Sequence, residues 1–514
     1  MQRLRSKIAC QSCRERKRKC DGNLPCSYCH RLEHECFYGP TRRTKKTAHR
    51  LHQHSTDINS PESPDYDGKD PQLQLLEANS PAVFVRQLAL KMNATNAPIL
   101  NCYAWNLGFD REIACLPQVS CITEILSLSE MHELAAIYFA HVAPVYDFVD
   151  RKVVDEATIK RWSNGFPYDQ ADSMLLGIAA LGCLFGHRSA GVEMQLVHSA
   201  RIVLEYSSQL ATPEFDHVVG WLLRVIYLRV TSSPHATWMA SCTLMHLIET
   251  TKLHFDSATD SILAQSTGPR IHPERRRKVY SVAQLFNTWV SLDCGKSQVE
   301  LRGASSALPE TGWTVEQREI CRISALLGPE IYRDIVELES ELVELCKLSP
   351  TQPMLRLIQC NVGLCIYRRF RALGRVMSEE SLDSIVNLAH HSLKAAEELA
   401  GISSPWWHIL NIPFQIVCVL LVIDHPQALV MLPDALQTLR SVADHYQTGM
   451  TREAYEIAVF LVNQQRERRM QALNSLDSAL RGHESNPLPT HQSPQITKVL
   501  PSMACVVERL WAPG

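Results

Sequence analysis

The sequence predicts a mainly α-helical protein, in which a small cysteine-rich unit and a linker precede a large all-α helical body. From Ser80 onward, segments of roughly 10–25 residues carry apolar positions three and four apart and are separated by Gly, Pro, Ser and Asn, while strand patterns are few. Charge divides the chain in the same way. Residues 1–50 hold fourteen Lys and Arg against four Asp and Glu, a net of +10, and the remainder holds 38 against 50, a net of −12. This division indicates a polyanion-binding arm on a separate folded body, and a solvated basic tail is the alternative that charge leaves open.

The composition excludes two classes of protein. Hydrophobic residues make up 45% of the 514, which excludes wholesale disorder. No apolar run reaches the roughly 18 residues that span a membrane. The first residues, MQRLRSKIAC, lack the apolar core of a signal peptide, so we expect an intracellular protein with no membrane partner.

Six of the 18 cysteines lie within 27 residues and repeat with a shift of sixteen positions. Their spacing is C-x2-C-x6-C-x5-C-x2-C-x6-C, so one small unit occurs twice. In a reducing compartment such a cluster indicates metal binding rather than disulfides. The twelve others, from Cys102 to Cys505, are interpreted as small buried apolar residues. The six are Cys10, Cys13, Cys20, Cys26, Cys29 and Cys36.

The number of thiols favours a two-metal centre. A structural zinc ion takes four tetrahedral ligands, so two ions need eight ligand positions. Six thiolates supply eight positions if two of them bridge both ions. Thiolate ligation favours zinc over hard metals, and an iron–sulfur site stays open on spacing alone.

The segment RSKIACQSCRERKRKCDGNLPCSYCHRLEHECFYG resembles the fungal binuclear zinc cluster DNA-binding domain. The resemblance implies two Zn²⁺ ions held by all six cysteines. In that family the first and fourth cysteines bridge the ions. Carried onto this chain, Cys10 and Cys26 bridge, Cys13 and Cys20 complete one site, and Cys29 and Cys36 complete the other.

The two halves of the repeat differ in charge. The six residues after Cys13 include five bases, whereas residues 30–35 are about neutral, so the first half is the one suited to enter a groove of DNA. The resemblance implies a short helix in the major groove that reads a CGG-type triplet, with Lys17 at the base-reading position and Arg16 beside it. A solvated basic face that serves nuclear import is the compatible alternative. Phosphate contacts are expected from Arg14, Arg18 and Lys19 in the first half and from Arg31 in the second.

Four segments are predicted along the chain: the zinc cluster domain at 7–40, a basic then Ser/Pro-rich flexible linker at 41–80, the helical regulatory domain at 81–475, and a linker and tail at 476–514. Residues 41–80 lack the heptad leucines with which many family members dimerise. A monomer and a homodimer held by the body therefore both stay open.

Nine helices of the body are predicted by apolar spacing. They span 131–141, 171–186, 191–208, 236–252, 274–293, 355–373, 379–400, 433–447 and 451–475. A further run with 4-3-4-3 spacing is interpreted as bundle packing rather than as a coiled coil. It comprises Ile331, Ile335, Leu338, Leu342 and Leu345.

The body also resembles the fungal transcription factor regulatory, or middle homology, region. The phrases YFAHVAPVYDFVDR, TWMASCTLMHLIETTKLH and PWWHILNIPFQIVCVLLVID carry the resemblance. It implies a helical region that governs activity through a small-molecule inducer or protein partners.

Catalytic patterns are few in the body. It holds no GxSxG, P-loop, GxGxxG or HExxH motif, so we expect no enzyme. Asp293, Lys296 and Glu300 are interpreted as a polar helix end, and His390 and His391 as surface residues. Of Trp406 and Trp407, one is expected in the core.

The C-terminal segment VLPSMACVVERLWAPG regains hydrophobicity after a linker. Its apolar residues are expected to pack back on the body, and a coactivator-binding motif is the alternative. They are Val506, Val507, Leu510 and Trp511.

Together these patterns predict a nuclear, zinc-dependent transcription factor that binds double-stranded DNA and contacts the transcription machinery or coactivators. The family implies control of a metabolic pathway, with a secondary-metabolite gene cluster as one instance. One rival is a zinc-dependent RNA-binding protein, disfavoured because the basic helix segment carries no aromatic residue to stack on bases. The second rival is an enzyme with a basic nucleic-acid anchor.

Overall fold

The computed structural model describes residues 120–164, 169, 171–210, 213–256, 271–327 and 335–484 of the body and five residues of the N-terminal unit. The chain divides into two compact units, Met1–Asp67 and Gly68–Gly514. The described part of the second unit contains seventeen α-helices and no strand, which confirms the predicted mainly α fold.

The first half of the body holds nine of these helices. They are α1 (Ile122–Ile125), α2 (Leu128–His141), α3 (Ala143–Tyr146), α4 (Arg151–Ser163), α5 (Asp172–Phe185), α6 (Ala190–Leu210), α7 (Phe215–Thr231), α8 (Pro234–Thr250) and α9 (Pro273–Cys294).

The second half holds eight. They are α10 (Val315–Ala325), α11 (Ile335–Lys347), α12 (Pro353–Ala372), α13 (Glu379–Gly401), α14 (His408–Ile423), α15 (Pro426–Val430), α16 (Leu432–Tyr446) and α17 (Gly449–Glu484).

Local sequence explains where many of these helices begin. At the start of α2 the Ser127 hydroxyl accepts a hydrogen bond from the Glu130 amide, and the Glu130 carboxylate accepts one from the Ser127 amide at 2.7 Å. Thr314 and Gln317 form the same reciprocal cap on α10. Such caps satisfy amides that have no partner within the helix. Proline occupies the first turn of α8, α9 and α12, where its fixed φ fits and its missing N–H costs nothing.

Helix α5 lies at the centre of the first half. Thirteen of its fourteen residues are buried, and it packs against α2, α6 and α7. Two glycines permit these close crossings. A Cβ on Gly182 would lie 2.4 Å from the Leu134 carbonyl oxygen in α2, and one on Gly220 in α7 would lie 2.9 Å from the Ser173 backbone. Because backbone atoms cannot move aside as a side chain can, only glycine fits at either crossing.

The second half packs α12 against α13 and α14, with α16 and α17 covering α14. Leu338, Leu342 and Leu345 of α11 are buried at 4%, 0% and 0% exposure, as expected for bundle packing. Ile331 and the Ile335 side chain lie outside the described residues. The buried apolar residues of both halves form one continuous core.

All nine helices predicted from apolar spacing are present, with ends that differ by a few residues from those expected except at α17. Helix α17 was predicted to end at 475 but continues to Glu484. Helices α4, α7 and α10 were not among those predicted. Among the helices that the structure describes, none is long and apolar enough to cross a bilayer.

Two ion pairs with little exposed surface join helices of the body, one between consecutive helices and one between residues 64 positions apart. Arg161 Nε of α4 lies 2.6 Å from Asp172 Oδ1 of α5, and both side chains are almost fully buried. Asp172 also accepts a hydrogen bond from the Asp169 amide at 3.2 Å. Burial raises the pKa of Asp172, and the Arg161 hydrogen bond opposes that rise. Arg229 of α7 pairs with Asp293 of α9 in the same manner.

Candidate zinc centre

Three thiols of the N-terminal unit form one buried group. The Sγ atoms of Cys13, Cys26 and Cys29 all lie within 4.8 Å of one another, and all three residues are fully buried. The Sγ atoms of Cys13 and Cys26 are 3.6 Å apart. A disulfide would bring them to about 2.0 Å, so the two sulfurs face each other without a bond.

The spacing of these thiols fits shared metal ligation. Two sulfurs that bind one tetrahedral Zn²⁺ at about 2.3 Å lie roughly 3.8 Å apart. The 3.6 Å between the Cys13 and Cys26 sulfurs is close to that value. Thiolates are soft ligands that select zinc over magnesium or calcium. The residues present therefore fit the zinc ion that the cysteine spacing predicted.

The group draws one thiol, Cys13, from the first copy of the repeat and two, Cys26 and Cys29, from the second. Cys13 and Cys29 correspond under the shift of sixteen, and both are helical. Cys26, the third member of the group, is not helical. The Cys29 amide donates a hydrogen bond to Cys26 Sγ at 3.4 Å, which stabilises negative charge on that sulfur. The two halves of the repeat thus meet at a common centre.

Of the remaining predicted site residues, the structure describes only Cys20. Cys20 is half-buried, and it packs with Tyr28 against the three buried thiols. The other two predicted ligands and all the predicted DNA contacts lie outside the described residues: Cys10, Cys36, Arg14, Arg16, Lys17, Arg18, Lys19 and Arg31.

In the body, the residues that the sequence analysis named lie in the core, in an ion pair or at the surface. Trp406 is buried, as expected for one of the tryptophan pair. Trp407 is half-buried with the Arg229 guanidinium 3.7 Å from its ring centroid. Asp293 lies at the end of α9, as the predicted polar helix end implies, and its largely buried side chain pairs with Arg229. His391 is exposed, in line with a surface residue.

Sequence reasoning missed the polar cluster around Arg229. Burial raises the pKa of Asp293, and Arg229 opposes that rise. His408 is buried nearby, and burial with the neighbouring Arg229 charge holds its pKa well below the usual range. Arg229 and Asp293 are 64 residues apart, so no local pattern connects them.

Comparison with known proteins agrees with this geometry. Residues 8–46 match the family model of the fungal Zn(2)-Cys(6) binuclear cluster domain. The chain is 36% identical to Protein RDR1 of Gibberella zeae over 95% of its length and 91% of that protein. It is also 36% identical to Transcription factor kojR of Aspergillus oryzae, over 93% of this chain and 86% of the relative. Protein RDR1 of Saccharomyces cerevisiae is 28% identical over 93% of this chain and 92% of that protein. No solved structure matches the chain.

The similarity extends over nearly the whole chain and includes the cysteine-rich unit and the helical body. The chain therefore belongs to the family of fungal Zn(2)-Cys(6) binuclear cluster transcription factors. The cluster of this family holds two zinc ions, as predicted from the number of thiols.

Proposed function

We propose that the protein is a sequence-specific transcription factor of RNA polymerase II genes that reads CGG-type triplets in the major groove through its zinc cluster. The observation that carries this proposal is the buried group of three thiols drawn from both halves of the repeat. A unit of about 35 residues cannot fold on apolar burial alone, so metal ligation supplies its stability. The fold of the reader then depends on zinc.

The proposed ligand set assigns a bridging role to Cys26. Its sulfur lies 3.6 Å from that of Cys13 and within 4.8 Å of that of Cys29, which is compatible with a thiolate shared by two ions. Cys10, which corresponds to Cys26 under the shift of sixteen, is the second bridge. Cys20 and Cys36 complete the two sites, one in each half of the repeat.

The proposed DNA contacts follow from the charge of the first half of the repeat. Lys17 reads guanine O6 and N7, and Arg16 lies beside it. Contacts to phosphate give affinity that is independent of sequence. These are assigned to Arg14, Arg18, Lys19 and Arg31.

The helical body is proposed to regulate rather than to catalyse. Two of its least exposed charged pairs, Arg161 with Asp172 and Arg229 with Asp293, join helices to one another. Relatives that span the body are named as transcription factors. We assign to the body contacts with coactivators or a small-molecule inducer. We assign to the whole protein a nuclear location and control of a metabolic pathway, with a secondary-metabolite gene cluster as a candidate target.

Substitution of Lys17 tests the base-reading assignment. Lys17→Ala is expected to weaken binding to a CGG-containing duplex by about 1–3 kcal/mol and to relax the preference at the guanines. Lys45→Ala removes the same charge outside the repeat and serves as the matched control. Titration of both full-length variants on CGG and scrambled duplexes is the measurement. A loss that is equal on both duplexes would make Lys17 a phosphate contact.

A further inference from the structure

A cavity opens in the second half of the body, between α12 and α13. Its volume is about 460 Å³, which lies within the range of pockets that bind small molecules. Residues 348–351, which join α11 to α12, border it, and Arg356 and Gln359 border it from α12. The lining residues of α13 recur three and four positions apart, so they share one face of that helix. They are Ser384, Asn387, Leu388 and His391.

The lining of this cavity offers positive charge without an acid. None of the described residues that line it is acidic, and Arg356 is positively charged. The connection before α12 holds the Arg356 guanidinium in place, since Nε donates to the Pro350 carbonyl at 2.9 Å and Nη2 donates to the Thr351 carbonyl at 3.2 Å. An organic anion is therefore the ligand that the charge of this lining favours.

Part of the Arg356 guanidinium stays available for a ligand. A guanidinium has five N–H groups. Two of them serve the backbone carbonyls, and a third is directed at Glu398, whose Oε1 lies 3.5 Å from Nη1. The side chains of this ion pair are 29% and 52% exposed, and pairs so exposed contribute little. The N–H groups that remain can donate to a carboxylate, the anion that matches a guanidinium in shape.

Gln359 supplies a buried acceptor at the same cavity. The residue is 3% exposed, and its Nε2 donates to the carbonyls of Leu345 at 2.6 Å and Leu348 at 3.0 Å, at the end of α11. Both amide hydrogens are thus used, which fixes the orientation of the amide. Within the described residues its Oε1 accepts no hydrogen bond. Because a buried acceptor without a donor costs free energy, a ligand hydroxyl that donates to Oε1 is favoured.

We propose that this cavity binds a small organic acid that carries a hydroxyl group close to its carboxylate and an apolar remainder. Arg356 pairs with the carboxylate, and Gln359 Oε1 accepts a hydrogen bond from the hydroxyl. The two residues are three positions apart on α12, so they reach groups that are close together in one molecule. The apolar remainder packs on Leu348 and Leu388, and Asn387 donates to the ligand from α13. The proposal rests on the regulatory role proposed for the body and gives the chemical class of its small-molecule inducer.

Isothermal titration calorimetry of the full zinc-loaded chain, without DNA, tests the proposal with lactate, mandelate and phenyllactate. Each carries a hydroxyl on the carbon next to the carboxylate, and they differ in the apolar part. Mandelate is expected to bind one site per chain. Phenylacetate, which lacks the hydroxyl, and mandelamide, which lacks the charge, are each expected to bind about tenfold or more weakly. No binding by any of the three acids up to about 10 mM, or equal affinity for mandelate and phenylacetate, overturns the proposal. Either result leaves zinc-dependent reading of CGG intact, because that reading is measured separately on DNA.

Substitutions at Arg356 and Glu398 locate the site. Arg356→Gln is expected to weaken mandelate binding about tenfold or more. Arg440→Gln is the matched control and should leave binding unchanged, because Arg440 is 61% exposed in an ion pair of α16 and does not line the cavity. Because Arg356 also holds residues 348–351, Glu398→Gln gives an independent test. It keeps the guanidinium, removes the competing anion and is expected to tighten mandelate binding about twofold to fivefold. Circular dichroism checks that each variant is folded. Mandelate affinity that a folded Arg356→Gln leaves unchanged, or that Glu398→Gln fails to raise, overturns the assignment.

Discussion

Replacing Cys26 by serine distinguishes a shared two-zinc centre from a single zinc site. Its sulfur lies 3.6 Å from that of Cys13 and within 4.8 Å of that of Cys29. If Cys26 bridges, Cys26→Ser removes one ligand from both ions and leaves each with three thiolates. Cys29→Ser removes a ligand from one ion and leaves the other with four.

The expected readout is zinc retained per chain. Wild type should hold two ions in the presence of a chelator that spares complete four-thiolate sites. Under the same conditions Cys29→Ser should retain about one ion and Cys26→Ser close to none, because a structural ion needs four ligands. Metal analysis after gel filtration gives the number directly. Cys294→Ser, which changes a half-buried thiol of the other unit, is the control and should retain both ions.

Equal losses would refute this reasoning. If Cys13→Ser, Cys26→Ser and Cys29→Ser each cost one ion and spare the other, the three thiols serve a single zinc. That ion would be shared by the two halves of the repeat, and Cys26 would not bridge to the second ion. The cluster would need a different ligand assignment, with Cys10, Cys20 and Cys36 redistributed.

Three further predictions concern the body. Arg161→Met leaves the buried Asp172 carboxylate without its charged partner. The free energy of unfolding measured in urea should fall by about 3–5 kcal/mol. A loss below about 1 kcal/mol would show that the pair is solvated. Gly182→Ala places a Cβ 2.4 Å from the backbone oxygen of Leu134. The free energy of unfolding in urea should fall by about 1–3 kcal/mol or more. An unchanged unfolding midpoint would mean that α2 and α5 can move apart without cost. Burial lowers the pKa of His217 to about 4, so its neutral form stabilises the fold fully above about pH 6.5, and that contribution is lost as the pH falls towards 4. His217→Gln should flatten the fall in unfolding free energy across this range, and an identical slope in both proteins would assign the pH dependence to other groups.

The zinc centre was predictable because its information is local. Six cysteines with a sixteen-residue repeat indicate the number of thiolate ligands and favour two ions before any fold is known, whereas the assignment of each thiol to an ion comes from the family resemblance. The structure places Cys13 and Cys29, which the repeat relates, in the same group. The amide bond from Cys29 to Cys26 Sγ needs backbone geometry, and no spacing rule predicts it.

The helices were predictable where one face is apolar and the other polar. Helix α7 was missed although its burial, twelve of seventeen residues, is lower than that of the predicted α5, thirteen of fourteen, so burial on all faces alone does not explain the difference. Helix α4 was missed because only Val154, Thr158 and Arg161 are buried.

The end of α17 and the buried ion pairs needed the structure. The helix was predicted to end at 475, yet the Ser475 and Ser478 hydroxyls donate to carbonyls one turn back and the helix continues. The partner of Asp293 lies 64 residues away. Long-range pairing of this kind leaves no trace in a local pattern.

Binding selection on randomised duplex DNA, with the full chain in zinc and in a chelator, tests the central claim most directly. Zinc-dependent enrichment of CGG triplets is expected. Enrichment of paired triplets would mean that two readers bind together, and single triplets would mean that one suffices. Enrichment that is equal with and without zinc, or none at all, would contradict the assignment of the cysteine cluster as the DNA reader.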